Sequence, residues 1–240
     1  MKYSAQFRLT SMDIAPNGSV RPGALLRYFQ EAINLQMHDS PPSTENLFDS
    51  GLAFILSRTT MKIYVSFKVY DKIKVVTWAS TSKGATFVRS AQIFINDELA
   101  ADIITAWALV DFKNHRLVRV KDAVLGIGTL DELPDIPLPE KIRFPEGEMT
   151  FVGEKHILYG DIDRNNHMNN TRYVDMICDF LPDVENKAVK SFTINYLTES
   201  KLGEVLDIYH TSDGEKDYFY AVKKDGTHSV DVELKLEEIK

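Results

Sequence analysis

The sequence predicts an α+β fold made of one structural unit used twice, each copy a helix followed by a meander of antiparallel strands. Three observations predict it. Apolar residues recur at helical spacing in two stretches, through Leu25, Phe29, Ala32 and Ile33 and again through Tyr173, Ile177, Phe180 and Leu181. Each stretch precedes four segments rich in β-branched and aromatic residues. Between the two blocks, residues 121–150 carry Pro134, Pro137, Pro139 and Pro145 among several acidic residues, which reads as a linker. The repeat is one of element order, with little identity between the copies.

Taken in order, "RPGALLRYFQEAINLQMHDS" is the first helix, with Pro22 suited to the first turn and Pro41-Pro42 as the stop. The strands expected after it are "RTTMKIYVSFKV", "DKIKVVTWASTS", "ATFVRSAQIFIN" and "LAADIITAWALVDF". Beyond the linker, "HILYGDID" reads as a short strand and "NNTRYVDMICDFL" as the second helix. "SFTINYLTE", "EVLDIYHT", "KDYFYAVKK" and "HSVDVELKLEE" follow as strands. The last alternates Val230, Val232, Leu234 and Leu236 with Asp231, Glu233, Lys235 and Glu237. Asp213-Gly214 and Asp225-Gly226 are hairpin turns. Each helix should lie across a curved antiparallel sheet, and two such sheets side by side can merge into one. The division expected is 1–120, a 121–150 linker, and 151–240.

The bulk properties narrow the function. The chain has 240 residues and a formal net charge of −7, which opposes general nucleic-acid binding. A single cysteine, Cys178, excludes an internal disulfide framework and fits a reducing compartment. The start "MKYSAQFRLT" has no signal-peptide core, and no apolar run of about 18 residues exists, so a cytoplasmic protein without membrane insertion is expected.

One stretch concentrates chemistry. "DIDRNNHMNN", from Asp161 to Asn170, could hold a metal, cap a helix or react. As a calcium loop it fails at the turn position, Asn166 instead of Gly, and at the twelfth, where Arg172 replaces a bidentate Glu. His156 and His167 lack zinc-ligand spacing. Asn169 or Asn170 is a good N-cap for the second helix. That leaves Asp163, Asn165 and His167. Alternating along an extended segment, they would project to one side ahead of the helix, a place where an anionic intermediate could be held. A surface turn is the commoner fate of such residues.

The same stretch resembles the acyl–acyl carrier protein thioesterases, tandem hotdog-fold enzymes, of the bacterial type without a transit peptide. Their pattern D-x-N-x-H-x-N-N-x-x-Y is present as Asp163, Asn165, His167, Asn169, Asn170 and Tyr173, and a Tyr-x-x-Glu segment as Tyr196 and Glu199. "RYFQEAINL", the strand run containing Trp78, and "AWALVDFKNHRLVRV" with Trp107 and Asp111 are similar to that family's first hotdog. The likeness spans nearly the whole chain. It implies hydrolysis of a fatty acyl thioester on acyl carrier protein, with Glu199 as general base, His167 beside it, Asn165 as hydrogen-bond donor and Asp163 as orienting group. No metal or cofactor is implied.

The first half would be catalytically silent, because Ala15, Asn17 and Ser19 stand where Asp163, Asn165 and His167 stand. It would shape the acyl pocket, with Leu25, Phe29, Phe54 and Ile55 as lining residues. Some descriptions of the family invoke a cysteine directly after the glutamate; here that residue is Ser200, and water is the expected nucleophile. Segment 113–121 and the pair Lys223-Lys224 are the candidate basic surfaces for an acidic carrier protein. An acyl-CoA thioesterase and a non-catalytic acyl or carrier-protein binding module are the rival readings; a hotdog dehydratase also uses His with a carboxylate, but the Asn-x-His-x-Asn-Asn arrangement is not its pattern. Homodimerisation stays open, since one tandem chain already imitates a dimer of single hotdogs.

Overall fold

The computed structural model describes residues 1–240 apart from 41, 124, 126, 127 and 240. The first half runs β1 (Tyr3–Arg8), α1 (Pro22–Asp39), α2 (Thr44–Asp49), β2 (Leu52–Ile63), β3 (Lys72–Lys83), β4 (Thr86–Ile95), β5 (Glu98–Asp111) and a short β6 (Arg116–Val118). The second runs β7 (Thr150–His156), α3 (Arg172–Cys178), β8 (Lys187–Tyr196), β9 (Val205–Ser212), β10 (Asp217–Lys223) and β11 (His228–Glu238). These strands form one sheet in the order β1-β3-β4-β5-β2-β8-β11-β10-β9-β7, with β6 beside β5. All of their pairings are antiparallel.

Read from the centre outward, both halves repeat one order: their second, fifth, fourth, third and first strands. They join where β2 pairs with β8, and the middle of that pairing sets Thr60 opposite Thr193 with Oγ atoms 3.1 Å apart. An approximate two-fold axis therefore passes through this pair. The inward face of each half-sheet is apolar. Met61, Ile73, Val75, Ile93 and Ile103 pack with Leu25, Phe29 and Ile33 of α1. Ile194, Ile208, Phe219, Val230 and Val232 join the same core as Val174 and Ile177 of α3. Each such side chain contributes about 1.5–3 kcal/mol by leaving water.

The two helices also meet each other. Arg21, at the N-cap of α1, gives no side-chain cap, and the missing acceptor comes from α3: Gly23 N–H donates to Asp175 Oδ1 at 2.8 Å. Arg27 bonds Asp13 at 2.9 Å and approaches Asp175 to 3.7 Å. Gly23 is what allows this approach. A Cβ there would lie 2.5 Å from the Thr171 carbonyl oxygen and 2.4 Å from Asp175 Oδ2.

Several sequence expectations need correction. The second helix is short, seven residues, because its end tightens into i→i+3 bonds at Asp179, Phe180 and Leu181 and Pro182 follows. "HILYGDID" is not a strand. The strand is β7, slightly earlier, and Asp161 turns the chain into a 3₁₀ turn by accepting from Leu158 N–H at 3.0 Å. The first strand after α1 begins at Leu52, ahead of "RTTMKIYVSFKV", and ends at Ile63. The edge strand β1 and helix α2 went unread, although "YSAQFR" alternates in burial as an edge strand does. Of the expected helix stop, Pro41 lies outside the described residues; α1 ends at Asp39 with Ser40 as its C-cap.

Candidate active site

The turns that precede α1 and α3 are built alike, hydrogen bond for hydrogen bond. In the first, Ile14 bridges Val20, Ala15 N–H donates to Ser19 O at 2.7 Å, and Arg21 N–H to Asp13 O at 2.8 Å. In the second, Ile162 bridges Met168, Asp163 N–H donates to His167 O at 3.0 Å, and Asn169 N–H to Asp161 O at 2.9 Å. Gly18 and Asn166 take the left-handed backbone at matching positions, with φ of 82° and 64°. Ala15, Asn17 and Ser19 thus stand where Asp163, Asn165 and His167 stand.

The second segment is a tight turn, not an extended stretch as its alternation suggested. Asp163 Oδ1 accepts from Asn165 N–H at 2.8 Å, an Asx turn that folds the chain back and brings His167 beside Asp163. His167 Nδ1 lies 3.2 Å from the Met168 carbonyl oxygen and 3.9 Å from Asp163 Oδ1. On its other side, Nε2 is 3.9 Å from Glu199 Oε1. His167 and Asp163 are largely buried, with side chains 18% and 15% exposed, while Glu199 is 60% exposed. Asn165 is exposed at the turn tip, its amide nitrogen 3.4 Å from Asp163 Oδ2. The N-cap of α3 is Thr171, not Asn169 or Asn170 as expected; Asn169 leads into it by an Asx turn, its Oδ1 accepting from the N–H and the hydroxyl of Thr171 at 2.9 and 2.8 Å. Asn170 contributes its carbonyl, which takes a 3.0 Å bond from the Tyr196 hydroxyl.

Glu199 reaches His167 because two loops are stitched together. Met168 N–H donates to the Ser200 carbonyl at 2.7 Å, and Lys223 Nζ donates to the Glu199 carbonyl at 2.6 Å. Ser200 itself is fully buried and turned away. Its Oγ is 2.7 Å from Ser229 Oγ, which donates to the Thr198 carbonyl at 3.0 Å.

These polar residues line one wall of a cavity of about 1150 Å³. Its opposite wall is apolar and comes from the first half, including Phe29 and Ile33 of α1 and Phe54, Phe87 and Trp107 of the sheet. Of the four expected lining residues, Phe29, Phe54 and Ile55 face this cavity. Leu25 does not; it is fully buried in the core.

Most of the lining went unread in the sequence, Thr59 and Arg89 included. Thr59 Oγ1 is buried without a hydrogen-bond partner among the described residues. Arg89 takes an inward position on β4 between Phe87 and Ala91, and a charge in that apolar alternation was the available signal. Of the basic candidates, Lys223 pairs with Glu204, and Lys224 with Glu154 and Asp207. Lys113 donates to the Asp49 carbonyl, and Arg116 pairs with Asp111 at 3.2 Å.

Comparison with known proteins identifies the family and the fold. The acyl-ACP thioesterase N-terminal domain model matches residues 1–127 and the acyl-ACP thioesterase C-terminal domain model residues 147–237. Among curated proteins, the chain is 24% identical over 233 residues to a chloroplastic dodecanoyl-[acyl-carrier-protein] hydrolase of Cinnamomum camphora, covering 88% of this chain. It is 20% identical to oleoyl-acyl carrier protein thioesterase 1 of Arabidopsis thaliana, covering 90%. It spans only 60% and 65% of those relatives' own lengths. Two solved structures share the fold over nearly their whole length. An acyl-ACP thioesterase from Bacteroides thetaiotaomicron superposes with a TM-score of 0.88 at 19% identity, covering 98% of both chains. The 12:0-ACP thioesterase of Umbellularia californica gives 0.85 at 19%, covering 99% of this chain and 98% of its own. The fold is their tandem hotdog, and the chain belongs to the acyl-ACP thioesterase family.

Proposed function

We propose that this protein hydrolyses fatty acyl thioesters on acyl carrier protein, releasing free fatty acid and holo carrier protein, with water as the nucleophile. One observation carries the reading: His167 stands between Asp163 and Glu199, 3.9 Å from each, on the polar wall of an otherwise apolar cavity. The first half supplies the acyl cavity and the second half the chemistry.

In the tautomer that donates Nδ1–H to the Met168 carbonyl, His167 presents its Nε2 lone pair toward Glu199. Nε2 and Oε1 are then two acceptors side by side. One water donating both protons through 2.8 Å bonds spans acceptors roughly 4.4 Å apart, close to the separation here. Such a water is held with its oxygen lone pairs free to attack. As the oxygen adds to the thioester carbonyl carbon, its proton passes to Glu199. The Asn165 amide, only weakly engaged with Asp163, donates to the carbonyl oxygen as it becomes an oxyanion. Collapse breaks the C–S bond, and the proton on Glu199 returns to the departing thiolate. Asp163 fixes the turn and faces the imidazole, so it acts by positioning. Docking of the carrier protein falls to segment 113–121, where Arg116 pairs with Asp111 but exposed Arg119 and Lys121 meet no carboxylate among the described residues, whereas Lys223 and Lys224 are both engaged.

The test is release of free fatty acid from matched acyl–carrier protein and acyl-CoA substrates over a range of chain lengths. Faster release from the carrier protein is expected. Preference for CoA would replace the partner, and release from neither would remove the activity.

A further inference from the structure

Inside the first half, one charge has no opposite. Arg89 sits on the inward face of β4 and lines the cavity. Its Nε donates to Thr77 Oγ1 at 3.0 Å, and a terminal nitrogen donates to the Gln36 side-chain oxygen on α1. Both partners are neutral, and among the described residues no carboxylate pairs with it. Burial alone pulls its pKa down, to about 10, with no neighbouring charge adding to the effect. It remains a cation at neutral pH. A guanidinium has five N–H donors, so two bonds leave donors over on the cavity side.

The duplicated half supplies the control. The pairing Thr77↔Ala91 recurs as His210↔Phe219, and Ala79↔Arg89 recurs as Ser212↔Asp217. His210 and Asp217 therefore occupy the positions of Thr77 and Arg89. They bond each other at 2.8 Å and close the polar spot within the protein. The first half keeps the polar spot, extends it with Thr105, whose hydroxyl donates to the Arg89 carbonyl and accepts from Trp107 Nε1, and leaves its cation unmatched. A cation in an apolar cavity is costly unless an acceptor joins it, and a methylene chain offers none.

We propose that Arg89 forms, with Gln36 and Thr77, a subsite for an oxygen carried on the acyl chain, so that the preferred substrates are oxygenated fatty acyl groups. A chain oxygen, whether hydroxyl, keto or carboxylate, accepts from the guanidinium donors. A plain chain of the same length strips water from them and returns nothing.

This rests on the thioesterase reading, and its test includes a measurement that does not. The pantetheine amides of tetradecanoic acid, of its mono-hydroxy isomers and of tetradecanedioic acid with one carboxyl left free, none of which carries a carboxylate at the pantetheine end, are titrated into the wild-type protein by calorimetry. The same chains are then presented as carrier-protein thioesters for kcat/KM. At least one oxygenated chain should bind, and react, roughly 10-fold or more better than the plain chain, as a charge-assisted hydrogen bond requires. The diacid arm separates a carboxylate partner from a hydroxyl. Arg89→Met should erase the preference, and Arg89→Lys, which keeps the charge and loses the fork, should retain part of it. Wild-type protein that binds every oxygenated chain no better than the plain one overturns the subsite, with no variant needed. Hydrolysis of all chains without preference also overturns it and leaves the activity standing. A binding preference without hydrolysis of any thioester supports the subsite and overturns the thioesterase reading.

Discussion

Replacing Ser200 with alanine should leave turnover within a few-fold of wild type, whereas Glu199→Gln should abolish most of it. The geometry sets both magnitudes. Ser200 has no exposed surface, and its hydroxyl is committed to Ser229 at 2.7 Å. Its removal leaves Ser229 still donating to the Thr198 carbonyl, so no buried donor is orphaned. The expected loss is one buried hydrogen bond, about 1 kcal/mol of stability, and no reacting atom. For a chain of this length that lowers Tm by about 2–4 °C. Glu199→Gln keeps the shape of the side chain and removes its basicity, and a general base is worth about 10²–10⁴ in rate. The assay is kcat/KM on a single acyl–carrier protein substrate, with Tm measured alongside to separate folding from chemistry. If Ser200 were the nucleophile, its loss would cost on the order of 10⁴ or more. A folded Ser200→Ala protein as inactive as Glu199→Gln refutes the water mechanism.

Other expectations follow from the helix contact and the catalytic turn. Gly23→Ala forces a Cβ to within 2.5 Å of the Thr171 backbone, and should cost about 1–3 kcal/mol, read as a Tm drop of roughly 2–12 °C. Asp175 has its pKa raised, chiefly by burial, so the native state holds its proton more tightly than the unfolded chain. Stability from this residue is therefore present below its unfolded pKa and falls as pH rises through its native one. Asp175→Asn keeps an acceptor for Gly23 N–H, and denaturant titrations should show it gaining on wild type as pH rises across that window. A variant that instead loses ground on wild type with rising pH contradicts the assignment. Asn165→Ala should lower kcat about 10²–10³-fold if its amide meets the oxyanion, with Tm nearly unchanged because the side chain is exposed.

Much of this architecture was legible because it is written locally. The alternation of Val230, Val232 and Leu234 fixes the inward face of β11, and Asp13 to Ser19 aligns with Asp161 to His167 by eye. What could not be read depended on distant partners. Nothing in "LAFILSRTTMKI" says that its free edge will pair with β8, because any β-branched edge offers the same backbone groups. Helix α3 looked longer because Phe180 and Leu181 continue the apolar spacing, yet Pro182 limits the backbone while those side chains still reach the core. In the site, the motif residues were legible as a cluster, but their arrangement was not. The turn at Asn166 brings Asp163 and His167 face to face, and the Met168–Ser200 bond brings in Glu199 from far along the chain.

The Thr60–Thr193 junction has a consequence for how such a protein can change. In a dimer of identical chains every substitution is made twice, once on each side of the axis, so a lone cation placed in one cavity must also appear in the other. Fusion ends that obligation. Here one side could settle its buried polar spot with His210 and Asp217 while the other keeps Arg89 without a carboxylate, each side diverging without the other's consent. The covalent link makes asymmetry heritable: one copy could specialise in holding a chain while the other specialised in cutting it, and selection could act on either task without disturbing its twin.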